Sequence, residues 1–197
     1  MTAKIKLNAA SGGGSFSLQA PSSSSNNRVL TLPDAADGTI ARTTDIAFVS
    51  YAFLADRHAG NAGDRGSYTA GDWRTREINT EVSDEDGIVT LSSNQFTLQA
   101  GRYYIRFAAF GYKTEYHVLR LRNITDSSTV GFGEACYNRA TVETGSYPRG
   151  AARIDYSGAK VFEVQGQVGN TQNSNGMGFS MQYGSTDFCT VEIFKEV

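Results

Sequence analysis

Phe96-Thr-Leu-Gln-Ala-Gly-Arg-Tyr-Tyr-Ile-Arg-Phe-Ala-Ala-Phe110 is the stretch on which the reading of this chain turns. Behind Gly101, a period of two puts Tyr103, Ile105, Phe107 and Ala109 on one face and Tyr104, Arg106, Ala108 and Phe110 on the other. Aromatic and β-branched side chains in such alternation pack well on a pleated strand. A strand of an antiparallel sandwich normally buries one face and wets the other. Here the second face is apolar as well, with two aromatics and an alanine around a single arginine. Something other than water has to cover it, and the expected cover is another copy of the same chain.

The last strand repeats the pattern. Cys189, Val191 and Ile193 share one face, while Phe188, Thr190, Glu192 and Phe194 share the other, again half apolar with an ionisable group. Two such strands are expected to form one sheet surface buried by association, because a patch of that kind left open is an aggregation hazard. The interface residues expected are Tyr104, Arg106, Phe110, Phe188 and Phe194.

Composition points the same way. The 197 residues include 21 Gly and only 3 Pro, with 10 Tyr and 11 Phe, which favours many turns and strands over helices. Further strands are expected from about Phe48, over Ile88–Leu91, Tyr116–Arg122, Val130–Cys136, Ala152–Tyr156, Val161–Val168 and Met177–Tyr183. A short turn or helix is expected near Thr43–Ala47. Turn signals such as Asp86-Gly87, Ser157-Gly158 and Gly169-Asn170 separate the runs. Many short strands at this spacing, with no βα alternation, read as an all-β antiparallel sandwich or barrel.

Residues 1–45 differ from the rest. Ile5 and Leu7, Phe16 and Leu18, and Leu30 and Leu32 each alternate with other residues in tiny strands separated by Gly12-Gly13-Gly14 and Ser22–Asn27. Such small apolar clusters cannot offset the entropy of ordering the segment alone. The residues are expected to wrap on other chains, a flexible tether being the alternative reading of the Ser and Gly runs.

Several function classes are disfavoured. A net charge of −2 and a pI near 5.7 argue against a nucleic-acid binder. No apolar run approaches the ~20 residues of a membrane span, and the start lacks the apolar core of a secretion signal. The chain is therefore expected to be made and kept in a cytoplasm, or released by lysis. Cys136 and Cys189 lack metal-ligand spacing and are expected to stay reduced. His58 and His117 are expected to be packed or exposed rather than ligands. No Gly-x-Ser-x-Gly elbow or phosphate-cradling loop is present, so no catalytic residue, cofactor or metal is expected. Asp84, Glu85 and Asp86 lack the alternating spacing of a calcium loop and read as a solvated turn, a bound cation being the alternative. Trp73 beside Arg74 reads either as a sugar- or anion-binding platform or as a buried anchor, with Arg74 or Arg76 paired to Glu77 or Asp72.

Two resemblances sharpen this. Lys4-Ile-Lys-Leu-Asn-Ala-Ala-Ser-Gly-Gly-Gly-Ser-Phe-Ser-Leu-Gln-Ala-Pro21, followed by Leu30-Thr-Leu-Pro-Asp-Ala-Ala-Asp-Gly-Thr-Ile40, resembles the attachment arm of bacteriophage tail-fibre and related virion proteins. Asn94–Ile105, the strand Val161-Phe-Glu-Val and the closing Cys189-Thr-Val-Glu-Ile-Phe-Lys195 resemble the tumour-necrosis-factor and complement type of jelly roll. With Trp73-Arg-Thr-Arg-Glu-Ile-Asn79 ahead of them, they resemble the phage head-domain version more closely still. The second resemblance implies a ten-strand sandwich, with the central and final strands side by side in a tight homotrimer. The closing Gly-Phe step of the eukaryotic members is missing, so their ligand loops do not carry over. The expectation is a phage virion protein, assembled in the host cytoplasm: a homotrimeric tail fibre or spike. Residues 1–45 would anchor it to other virion proteins, and the head, residues 46–197, would reach a host-surface polysaccharide. The alternative is a capsid decoration protein or head fibre that stabilises the shell without binding a receptor.

Overall fold

The computed structural model describes residues 4–8, 10–19, 23 and 48–196, within two units, Met1–Ile40 and Ala41–Val197. The expectations at Leu30, Leu32 and Thr43–Ala47 lie outside the described residues. In the first unit, β1 (Lys4–Asn8) and β2 (Ser15–Gln19) form an antiparallel hairpin with Ile5 opposite Leu18 and Leu7 opposite Phe16. Gly12 and Gly13, with φ of 84° and 72°, turn the chain between them. Ile5 and Leu7 remain 63% and 58% exposed, buried by none of the described residues.

The second unit is an antiparallel jelly roll. Its strands are β3 (Phe48–His58), β4 (Arg74–Thr75), β5 (Thr80–Ser83), β6 (Val89–Ser92), β7 (Gln95–Leu98), β8 (Gly101–Ala109) and β9 (Gly111–Tyr112). They continue with β10 (Glu115–Asn123), β11 (Ser128–Phe132), β12 (Cys136–Asn138), β13 (Gly145–Ser146), β14 (Arg149–Tyr156), β15 (Lys160–Val168) and β16 (Thr186–Glu196). One sheet runs β14-β8-β16-β3-β5; the other runs β11-β10-β15-β7-β6, with β12 added to β10 and β4 to β15. A small ribbon pairs β9 with β13.

The core lies between these two sheets. Tyr103, Ile105, Phe107 and Ala109 of β8, with Cys189, Val191 and Ile193 of β16, face Phe96, Leu98, Leu119, Leu121, Phe162 and Val164. Phe96 stacks on Phe162 with ring centroids 5.7 Å apart. Each fully buried side chain of this kind contributes about 2 kcal/mol.

The Phe96–Phe110 stretch feeds both sheets. β7 belongs to one and β8 to the other, and the chain crosses between them at Gly101, whose φ of +147° favours glycine. The central and final strands are neighbours, with Ile105 opposite Ile193 and Phe107 opposite Val191.

The expected strand Met177–Tyr183 is a loop. Its backbone bonds to another loop instead of a ladder: Arg65 N–H donates to the Gly178 carbonyl (2.8 Å) and Asn61 N–H to the Met181 carbonyl (2.7 Å). Gly178, at φ +150°, sits where a Cβ would run into the Phe188 ring. The expected strand Val130–Cys136 divides into β11 and β12, because after Gly133, still bonded to the Leu119 carbonyl of β10, the chain turns to β14, with Gly133 bridged to Gly150 and Glu134 N–H bonded to the Arg149 carbonyl.

Both cysteines are free, Cys136 half-buried and Cys189 fully buried. Burial pushes the Cys189 thiol up to about 12. A thiol reagent at neutral pH should therefore titrate one cysteine in the native protein and two after denaturation. At Gly166 a Cβ would collide with the buried Tyr68 hydroxyl. Gly166→Ala should cost about 2 kcal/mol or more by overpacking, read as a lowered denaturation midpoint.

Candidate assembly interface

The outward face of the β14-β8-β16-β3-β5 sheet is built by strand register. Tyr104 lies opposite Phe194, Arg106 opposite Glu192, and Phe194 in turn opposite Tyr51. Residues directly opposite in an antiparallel pair share a face, so these side chains converge. Phe194 lies 5.0 Å from Tyr51, 5.1 Å from Phe48 and 6.2 Å from Tyr104, ring centroid to ring centroid. Phe48 reaches the same face although it is three residues from Tyr51. A register shift between Lys195 and Glu196 inserts the extra residue that changes its parity. Phe48 and Tyr51 are 42% and 38% exposed, an aromatic surface left without cover by the described residues.

Beside the rings, Arg106 and Glu192 form an ion pair at 3.2 Å. Burial, followed by the Glu192 charge, holds the Tyr51 phenol above its ordinary range. Next to the pair a cleft of about 360 Å³ is lined by Arg106, Ala108, Tyr147, Arg149, Thr190 and Glu192. The arrangement is apolar rings around a charge pair that is already internally neutralised, which is what a surface buried by protein requires.

Of the residues expected at this face, Tyr104, Arg106 and Phe194 come together on it. Phe110 and Phe188 do not join the open cluster. They pack on each other at 6.2 Å, and Phe179 of the 176–184 loop covers Phe110 at 5.8 Å. Phe188 is 5% exposed. Tyr51 and Phe48 were not singled out from the sequence. Tyr51 was readable by its alternation with Ala52 and Leu54 of the core; Phe48 was not, because the bulge hides its parity. In the hairpin, Ile5, Leu7 and Leu18 are exposed.

Trp73 is half-buried under a guanidinium, that of Arg120 at 4.1 Å from the ring rather than that of Arg74, which is exposed. Arg76 is fully buried and makes no carboxylate ion pair among the described residues. It donates to the Tyr68 hydroxyl (3.1 Å) and the Met177 carbonyl (2.7 Å).

Three polar clusters carry candidate chemistry. His117 is fully buried, with Nδ1 3.1 Å from Ser146 Oγ and Nε2 3.3 Å from the Tyr68 hydroxyl. Burial and then Arg76 push its pKa down to about 3. A base so weakened, backed by a cation where a catalytic pair has a carboxylate, is a poor activator of Ser146. Asp56, His58 and Glu77 bring ligand-type atoms within 4.8 Å of one another. Yet the Arg65 guanidinium faces His58 Nδ1, which leaves Nε2–H to donate to Asp56 Oδ1 at 2.6 Å. That relay occupies the nitrogen a metal would take. Asp84 Oδ1 and Oδ2 accept from the Ile88 and Val89 N–H groups at 2.9 Å each, closing the acidic turn on itself.

No family model matches the chain, and no curated protein matches it. Among solved structures it is similar to the globular domain of zebrafish complement 1qA protein, at TM-score 0.46 and 16% identity, over 74% of this chain and 95% of that one. It is similar to murine APRIL, at TM-score 0.48 and 8% identity, over 74% and 98%. Vertex protein P5 of PRD1 gives TM-score 0.42 and 14% identity, over 76% and 98%. These likenesses concern the fold alone.

His117 fixes the sign of one pH dependence. Its folded pKa of about 3 lies below the ordinary 6.5 of the unfolded chain. Below pH 6.5 the unfolded state therefore binds a proton that the folded state refuses, and stability falls as pH drops from about 6.5 towards 3. At about 1.4 kcal/mol per unit the loss amounts to a few kcal/mol. His117→Gln should flatten this limb in urea titrations run between pH 7 and 4.

Proposed function

We propose that this chain is a structural protein of a bacteriophage particle that assembles as a homotrimer, as a tail fibre or spike. Residues 1–45 tie it to other virion proteins, and the head is left to meet a host-surface polysaccharide without doing covalent chemistry on it. The observation that carries the reading is the open aromatic cluster of Phe48, Tyr51, Tyr104 and Phe194 beside a neutralised Arg106–Glu192 pair. Burying such a surface gains about 25 cal/mol per Å², and the charge pair enters the interface with its partner already in place. The trimeric state is what the resemblance of residues 48–197 to the jelly-roll head implies. The virion setting is what the resemblance of residues 1–45 to an attachment arm implies, supported by a hairpin whose Ile5 and Leu7 stand exposed for other chains.

Sedimentation equilibrium of the full chain should give three times the 21.3 kDa chain mass. The double substitution Tyr104→Asp and Phe194→Asp should give single chains with unchanged far-ultraviolet dichroism, association being weakened by at least about a hundredfold. Stable single chains of the unsubstituted protein would overturn the reading. Labelling the particle for microscopy then locates the protein. Density on the tail supports the fibre or spike, and a copy number near that of the shell protein makes it a decoration protein.

A further inference from the structure

The opposite side of the sandwich carries a second set of exposed aromatics with a different character. On the outward face of the β11-β10-β15 layer, Tyr116, Phe132 and Tyr137 are 66%, 67% and 58% exposed. Register places them together: Tyr116 is opposite Tyr137, and Arg120 is opposite both Phe132 and Gln165. The two tyrosine rings meet at 5.2 Å and 60°, an angled pair rather than a closed stack. From Tyr116 through Val118 and Arg120 to Arg122 the row extends for about 20 Å along β10.

Charge on this row is not neutralised as it is on the assembly face. Arg120 lies over Trp73 at 4.1 Å and donates from Nε to Gln165 Oε1 at 2.6 Å. Neither Arg120 nor Arg122 makes a carboxylate ion pair among the described residues. Arg122 lies opposite Glu163, but that carboxylate is buried and accepts from Thr75 (3.0 Å) and Gln95 (2.9 Å), and also from Gln165. Burial first, and then the like charge of Arg122, hold Arg120 below its usual range, with Glu163 offsetting part of this. An anion between them would remove that repulsion.

We propose that this face, from the Tyr116–Tyr137 pair to Arg120 and Arg122, binds an acidic polysaccharide. The exposed rings offer flat apolar surfaces to sugar rings, and the two guanidiniums offer paired N–H donors to uronate or sulfate groups. The net charge of −2 makes the chain as a whole a poor polyanion binder, so the affinity belongs to this patch. The inference deepens the reading of the head as a polysaccharide-binding module and does not require that the chains trimerise. It lies on the sheet that does not carry the assembly face, so both surfaces can be engaged at once.

The test uses the full chain in native gels cast with alginate, with neutral dextran or with a DNA duplex. Trp73 fluorescence provides a solution readout, since this sole tryptophan lies under Arg120. Alginate should retard the protein and perturb Trp73, with added salt reversing both effects, whereas dextran and DNA should do neither. Tyr137→Ala and Arg122→Gln should each weaken alginate binding about tenfold. Tyr183→Ala, which removes a tyrosine 80% exposed in the 176–184 loop, should leave it unchanged. The proposal is overturned if alginate gives no retardation, if dextran or DNA retards equally, or if binding survives Tyr137→Ala combined with Arg122→Gln. Sedimentation of the same samples separates the two readings. Trimers that ignore alginate would remove this inference and keep the assembly, while single chains that bind alginate would do the reverse.

Discussion

The β8–β16 pair carries apolar side chains on both of its faces, and the rest of the molecule follows from that. One side, Tyr103, Ile105, Phe107, Val191 and Ile193, is closed by the second sheet. The other carries Tyr104 and Phe194, with Arg106 bonded across to Glu192. A slip of one residue in β8 would exchange the two sets, driving Arg106 into the core without its carboxylate while turning Ile105 outward. The ion pair therefore contributes to register as well as to the surface. Its worth lies less in net attraction, which is small for half-exposed pairs, than in the cost of every alternative.

A buried cation organises one end of the sandwich. The Arg76 side chain donates to the Tyr68 hydroxyl and to the Met177 and Phe188 carbonyls, while its backbone N–H bonds the Val164 carbonyl. It thereby connects the 60–68 and 176–184 loops to both sheets. Desolvating a guanidinium is costly, and aiming carbonyl oxygens at it is the compensation. The Met177 carbonyl is one that a regular strand at Met177–Tyr183 would have spent on a ladder. Asp56, fully buried nearby, is pushed upward by burial more than Arg76 pulls it down, so this end of the fold holds its charge under tension.

How much of this was legible depends on whether the controlling contact is local. The alternation in β8 and β16 is a property of consecutive residues, and over 103–109 and 189–194 the faces read from it are those observed. So is the turn at Asp86-Gly87, where Asp84 closes on the two N–H groups just beyond Gly87. What the sequence hid depends on distant partners. Phe110 and Phe188 carry the same pattern as Tyr104 and Phe194, but the 176–184 loop supplies their cover from within the chain. Phe48 changes parity at a bulge that no periodicity announces. The guanidinium on Trp73 comes from a strand far along the chain, not from the adjacent Arg74, which is exposed.

Two aromatic surfaces on one small sandwich need a reason to behave differently, and their charges supply it. On the β8–β16 side the rings touch one another, and the nearby arginine and glutamate are matched before any partner arrives. Such a surface loses little when water leaves, since no group is stranded. On the β10 side the Tyr116–Tyr137 pair is exposed, and among the described residues Arg120 and Arg122 make no ion pair, since Glu163 is held by Thr75, Gln95 and Gln165. Dry burial against protein would strand both cations, and a hydrated polyanion is the partner that spares them that cost. A face that has already neutralised its charges is suited to its own kind, and one that has kept them is suited to something acidic and wet.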